Sequence, residues 1–155
     1  MRVVLRVAVA TLAAALAAGI GLTAARAGST FNVCTSGCPY TSIQAAVTAA
    51  SAGDTIEVGA GTYAESVTVG KSLTILGAQA GNDARSRTGS ESTVSSFHVT
   101  SSNVVIDGFT LDNAGVQLNV DGTSGPTLSG VVARNDVFTG YASVGVPTYN
   151  AGNLL

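Results

Sequence analysis

Charge is scarce in this chain. Of 155 residues, seven are Lys or Arg and nine are Asp or Glu, while histidine occurs once, cysteine twice and tryptophan not at all. So few cations exclude a nucleic-acid binder, which needs a basic stripe to displace counterions from phosphates. Beyond residue 27 the only cations are Lys71, Arg85, Arg87 and Arg134, and they face all nine acidic residues. That balance opposes charge-driven capture of an acidic polymer unless calcium bridges the two. The single His98 and the pair Cys34 and Cys38 are too few and too far apart in sequence for a zinc set. Gly59-Ala60-Gly61 and Gly77-Ala78-Gln79-Ala80-Gly81 lack the Lys-Ser/Thr of a phosphate loop and read as turns.

A long apolar run occurs only at the start. Arg2 and Arg6 precede a stretch of mainly Ala, Val and Leu that extends to Ala25, and Ala25-Arg26-Ala27 is a small-x-small cleavage site. This predicts a signal peptide over residues 1–27, a mature chain beginning at Gly28, a secreted, extracellular protein, and no membrane association after cleavage. The alternative is an uncleaved anchor, since the run approaches the ~20 residues that span a bilayer. The cleavage site and the polar sequence after it favour the signal peptide. In an exported chain, Cys34 and Cys38 predict a disulfide. It closes a short loop, so it stabilises modestly and pins the segment leading into the first helix.

What the sequence has in quantity is alternation. In Gly53–Gly77, the runs Thr55–Val58, Ser66–Val69 and Leu73–Leu76 alternate apolar with polar, are rich in β-branched residues, and are separated by glycine or a polar pair. These are signals of half-buried strands with tight turns. Val104, Ile106 and Gly108 fall 31 positions after Leu73, Ile75 and Gly77, and Val131–Asn135 falls 27 after Val104–Gly108. Recurrence at this period points to a solenoid, and the expected fold is all-β, a parallel β-helix. The expected core is Ile56, Val58, Val67, Val69, Leu73 and Ile75, then Phe97, Val99, Val104, Ile106, Phe109 and Leu111. Leu118, Val120, Val131, Ala133 and Phe138 continue it.

Residues 28–40 read as a lead-in loop. A helix follows, with Thr41 and Gln44 as a capping box, Tyr40 as staple residue, and Ile43, Ala46, Val47 and Ala50 on one face. It is placed to cover the open end of the solenoid. Residues 78–92 are polar and without period, and predict a flexible loop carrying Arg85 and Arg87. Gly77, Gly108 and Asn135 mark equivalent sharp turns. The expected division is a signal peptide at 1–27, a lead-in loop and N-terminal capping helix at 28–53, and an incomplete run of coils at 54–155. Asn153-Leu154-Leu155 resembles Asn103-Val104-Val105, so the chain is expected to be truncated at its C-terminus, the front end of a longer protein. Its open last coil could then self-associate.

Tyr40-Thr41-Ser42-Ile43-Gln44-Ala45-Ala46-Val47, Gly53-Asp54-Thr55-Ile56, Gly61-Thr62-Tyr63-Ala64-Glu65 and Lys71-Ser72-Leu73-Thr74-Ile75-Leu76-Gly77 resemble the opening of the pectin-lyase-like superfamily, above all of pectinesterases and of secreted bacterial repeat proteins. The resemblance implies a right-handed parallel β-helix and a secreted protein that binds or modifies polysaccharide, as a pectinesterase or polysaccharide lyase does. The family's catalytic aspartates, glutamines and arginine have no counterpart here, so no catalytic residue is carried over. Any active site would lie beyond this chain. Glu65 matches the opening motif and not the active site.

Three residues are candidate outer-face ligand contacts. Asp107 and Arg134 stack if the 27-residue offset is one repeat, and could bind a sugar acid or a calcium–sugar bridge; the plain alternative is a surface ion pair. His98 shares a column with Thr68 and Asn119 and could shuttle protons, though without an acidic partner it is an ordinary exposed histidine. Asp107, Asp112, Asp121 and Asp136 could supply calcium oxygens but lack a dense acidic spacing. No organic cofactor and no tightly bound metal is expected. The alternative function is a non-catalytic cell-surface or adhesive protein that presents loop 78–92 to glycans or partners.

Overall fold

A computed structural model of the chain describes residues 28–121, 127–139 and 143–145. The expected signal peptide at 1–27 and the ending Asn153-Leu154-Leu155 lie outside these residues. In chain order the elements are β1 (Thr30–Val33), α1 (Ile43–Ala49), β2 (Thr55–Val58), β3 (Gly61–Val69), β4 (Thr74–Leu76), β5 (Ser92–Val99), β6 (Val105–Asp107), β7 (Phe109–Asp112), β8 (Val116–Val120), β9 (Val132–Arg134), β10 (Val137–Thr139) and β11 (Ser143–Gly145).

The strands form two parallel sheets. One runs β1-β2-β4-β6-β9, the other β10-β7-β5-β8-β11 with β3 also paired to β5. This corrects the expected right-handed parallel β-helix: the described strands are two parallel sheets with one short helix, and no closed solenoid is found. The all-β character holds apart from α1. The physical reason lies in β3 and β5, which at nine and eight residues each continue as one strand where a closed coil would turn, with only a shift of register between Tyr63 and Ser66. The first half of β5 pairs with β7 (Ser92↔Phe109) and its second half with β8 (Phe97↔Leu118), so segments of two faces merge into one sheet.

The repeat offsets set the pairing. Ile75 lies opposite Ile106, and Asp107 opposite Arg134. Phe31, Ile56, Ile75, Ile106 and Ala133 thus form one inward column. The core is the predicted set from Ile56 to Leu111, with Leu118, Val120 and Val131; Ala133 and Phe138 are only partly buried. Val33, Tyr63 and Val94 join it. Phe97 and Phe109 meet edge to face, with centroids 5.2 Å apart.

Three local expectations are revised. The lead-in segment contains β1, which pairs with β2 along its length. The helix begins one residue later than the capping box predicts: Ser42 is the N-cap, its hydroxyl accepting from the Ala45 N–H. The reciprocal acid is Glu65 from β3, whose carboxylate accepts from the Ser42 hydroxyl (2.8 Å) and the Ile43 and Gln44 N–H groups (3.0 Å each). Gln44 instead pairs with the Thr68 backbone. At the other end the Lys71 ammonium donates to the Val47, Thr48 and Ala50 carbonyls. A seven-residue helix is too short to hold itself together in water. Both its ends are satisfied by charged side chains from β3 and the loop after it.

The turn expectation is also split. Gly108 and Asn135 are left-handed, with φ of 82° and 52°, whereas Gly77 has no positive φ. Gly77 is required by close approach: a Cβ there would strike the Gly108 carbonyl, and one on Gly108 would strike the Ala80 backbone nitrogen.

Two substitutions test this account by urea unfolding. Glu65→Ala is expected to cost about 2 kcal/mol, because it leaves two helix N–H groups and a hydroxyl without their charged acceptor, and Glu65→Gln about half of that. Gly108→Ala adds backbone clash to strain and is expected to cost at least about 2 kcal/mol, well above an ordinary Gly→Ala change.

Candidate functional site

Register brings Asn32, Glu57, Leu76, Asp107 and Arg134 into one row across the five-stranded sheet. The predicted stacking of Asp107 and Arg134 is present: Arg134 Nε donates to Asp107 Oδ2 at 2.9 Å. Their exposures differ sharply. The Arg134 side chain is 58% exposed and that of Asp107 only 3%, so the carboxylate is not an outer-face contact. Loop 78–91 covers it. Asp107 Oδ1 accepts from the Gly81 N–H (3.1 Å) and from Asn135 Nδ2 (2.9 Å). Burial raises the Asp107 carboxyl, but the bonds from Asn135, Gly81 and Arg134 outweigh it and hold it below the usual carboxylate range.

The flexible loop of the sequence reading is firmly held. Ala78 N–H donates to the buried Ser92 hydroxyl, which itself donates to the Val58 and Gly59 carbonyls, so the two ends of the loop are tied together. Arg87 is the pin. Its side chain is 3% exposed and donates to both Glu91 oxygens (3.0 and 2.9 Å), to the Phe109 carbonyl (2.9 Å) and to the Asn135 carbonyl. Thr110 adds a hydroxyl bond to Glu91. Arg85 is the loop's exposed cation, paired with Asp83. Nothing in the local sequence separates Arg85 from Arg87; their fates are set by strands that arrive later in the chain.

Asp136, at the corner between β9 and β10, faces the same region. Its Oδ1 accepts from the Phe109 N–H at 2.8 Å, and its Oδ2 is buried with no hydrogen-bond partner. Burial pushes this carboxyl up to about 7, and the Asp107 charge adds to the rise; the Phe109 N–H, Arg87 and, least of all, the Gly108 N–H oppose it. Sequence reading missed the role of this residue, since the only signal was its position after the turn residue Asn135.

His98 sits in the predicted column, opposite Thr68 on β3 and Asn119 on β8. It has the acidic neighbour that sequence alone did not supply: Nε2 lies 3.9 Å from Asp121 Oδ2, with the imidazole 41% exposed. The separation is too long for a hydrogen bond. Asp112, Asp121, Asp107 and Asp136 do not converge, and among the described residues no group of three or more His, Cys, Asp or Glu is placed to hold a metal. Asp107 spends both oxygens on N–H donors, which does not fit a calcium ligand.

Cys34 and Cys38 form the expected disulfide. Beside it, at the carboxyl ends of β1, β2 and β4, is an open crevice of about 450 Å3 lined by Asn32, Glu57, Val58, Leu76 and Ala80 among others. Among the described residues no helix is long and apolar enough to cross a membrane. Compared with known proteins, the chain matches no family model, no curated protein and no solved structure.

The central role of Arg87 has a measurable consequence. Arg87→Ala leaves Glu91 half-buried without its cation and two carbonyls without their donor, and is expected to cost about 3 kcal/mol in urea unfolding. Arg85→Ala, two residues away and exposed, is expected to stay within about 0.5 kcal/mol of the parent.

Proposed function

We propose that this is an exported, carbohydrate-associated protein that binds acidic polysaccharide through the outer face of its five-stranded sheet. The observation that carries the reading is Arg134. Its Nε is held by a buried carboxylate, which aims the exposed guanidinium outward at the end of a row containing Asn32 and Glu57. A guanidinium steadied this way can meet one sugar carboxylate with paired N–H donors and lose little freedom on binding, a local contact that does not depend on the chain's overall charge, whose acidic balance opposes only long-range capture. Export is supported by the Cys34–Cys38 bridge, which belongs to an oxidising compartment, and by the cleavage pattern at Ala25-Arg26-Ala27. The opening motifs from Tyr40 to Gly77, which resemble those of pectinesterases, support the same substrate class.

Binding is favoured over catalysis by the state of the carboxyls. Asp136, whose carboxyl is raised toward neutrality, has its second oxygen sealed from solvent. A general acid or base must reach the proton it moves.

The test is calorimetric titration with oligogalacturonides, in buffer with and without calcium and with a neutral glucan as comparator. The expected result is binding of the acidic oligomer alone, weakened about tenfold by Arg134→Ala. No binding by the parent chain, or equal affinity in the variant, rejects the reading.

A further inference from the structure

We propose that the joint between loop 78–91 and the β9–β10 corner is a proton-operated clasp, closed while the Asp136 carboxyl is neutral and released when it ionises. The inference stands apart from the carbohydrate reading and rests on the packing of one polar seam.

Three segments meet there. Loop 78–91 contributes Arg87 and Glu91, the β6–β7 turn contributes Asp107 and the Phe109 backbone, and the β9–β10 corner contributes Arg134, Asn135 and Asp136. The charged groups that act on Asp136 are Arg87 from the loop and Asp107 from β6, and behind them Glu91 pairs with Arg87 and Arg134 with Asp107. Two cations and two anions balance when Asp136 is neutral. Ionisation adds a net negative charge to an enclosed seam, on an oxygen that has no donor to receive it.

Water is the missing donor. For water to reach Asp136 Oδ2, the corner must part from what covers it, and the bonds that join corner to loop are those of Arg87 to the Asn135 carbonyl and of Asp107 to Gly81 and Asn135. Opening costs little core, because loop 78–91 contributes no residue to the hydrophobic cluster. The sign follows from the direction of the carboxyl's shift. A folded-state value raised to about 7 from 3.8 means the closed form holds its proton more tightly than the open one. The stabilisation is complete below about pH 4 and is lost as pH rises through about 7. Arg87 pulls the other way, toward a closed ionised state, and burial together with Asp107 outweighs it.

Hydrogen exchange at single amides tests the clasp. The reporters are the Gly81 N–H on Asp107 and the Phe109 N–H on Asp136, with the Thr100 N–H, bonded to the Val69 carbonyl in the other half of the protein, as reference. After correction for intrinsic rates, exchange at Gly81 and Phe109 is expected to accelerate about fiftyfold between pH 5 and 7. The opening should be insensitive to low urea, as small openings are, while Thr100 exchanges only through a urea-sensitive unfolding. Asp136→Asn, which keeps an oxygen for Phe109 and carries no charge, is expected to abolish the acceleration. Should that variant not fold, the carboxyl-carbon signal of Asp136 in the parent protein must titrate with the same midpoint as the exchange. The proposal is overturned by pH-independent exchange at the reporters, by the same acceleration in Asp136→Asn, by mismatched midpoints, or by urea-sensitive exchange shared with Thr100.

Discussion

Parallel register is the constraint on which the rest of this structure depends. Each strand of the five-stranded sheet pairs with one from a distant part of the chain, so that Phe31, Ile56, Ile75, Ile106 and Ala133 stack in a single inward column, fully buried from Ile56 to Ile106. A slip of one residue would turn every one of those side chains out to solvent and bring Asp107 and Glu57 inward. The hydrophobic period therefore fixes the register, and the register places every polar group described above. Arg134 lies over Asp107 because Ala133 lies over Ile106.

What register leaves open is the segments that do not alternate, and there charge takes over. The short helix is held at its start by Glu65 and at its end by Lys71. Loop 78–91 is held by Arg87 and by the buried Asp107. In each case one long or buried charged side chain satisfies several backbone groups at once, which is how a chain with so few charges still closes its irregular parts. Of its ions, Glu57, Asp83, Arg85, Asp112 and Arg134 stay exposed, and Arg85 is paired with Asp83. The buried ones are committed to structure, and this narrows the outward-facing cations near the sheet to Arg134.

The same economy makes Asp136 unusual. Asp107 is neutralised by a cation and several N–H donors, whereas Asp136 is held chiefly by the Phe109 N–H and keeps one buried oxygen without a hydrogen-bond partner. Protein interiors tolerate such a group when it is uncharged and resist it when charged. The corner between β9 and β10 therefore answers to pH where the rest of the fold is set by packing.

The strands, their repeat offsets and nearly the whole core were legible in the sequence, because alternation of buried and exposed residues is a local pattern that survives into the fold. The stacking of Asp107 with Arg134 and the column Thr68–His98–Asn119 were legible for the same reason, being fixed by counting residues, and the pairing of Cys34 with Cys38 because an exported chain with two nearby cysteines has one bridge to form. Closure was not. Local pattern shows that chain segments repeat, and the tertiary structure decides whether they turn at a corner or run on; β3 and β5 run on, giving two sheets. Nor could composition show that Glu65 caps a helix more than twenty residues before it, that Arg87 is buried while Arg85 is exposed, or that Asp107 lies beneath a loop. Those outcomes depend on which distant backbone groups need a partner, and that need exists only once the sheets have formed.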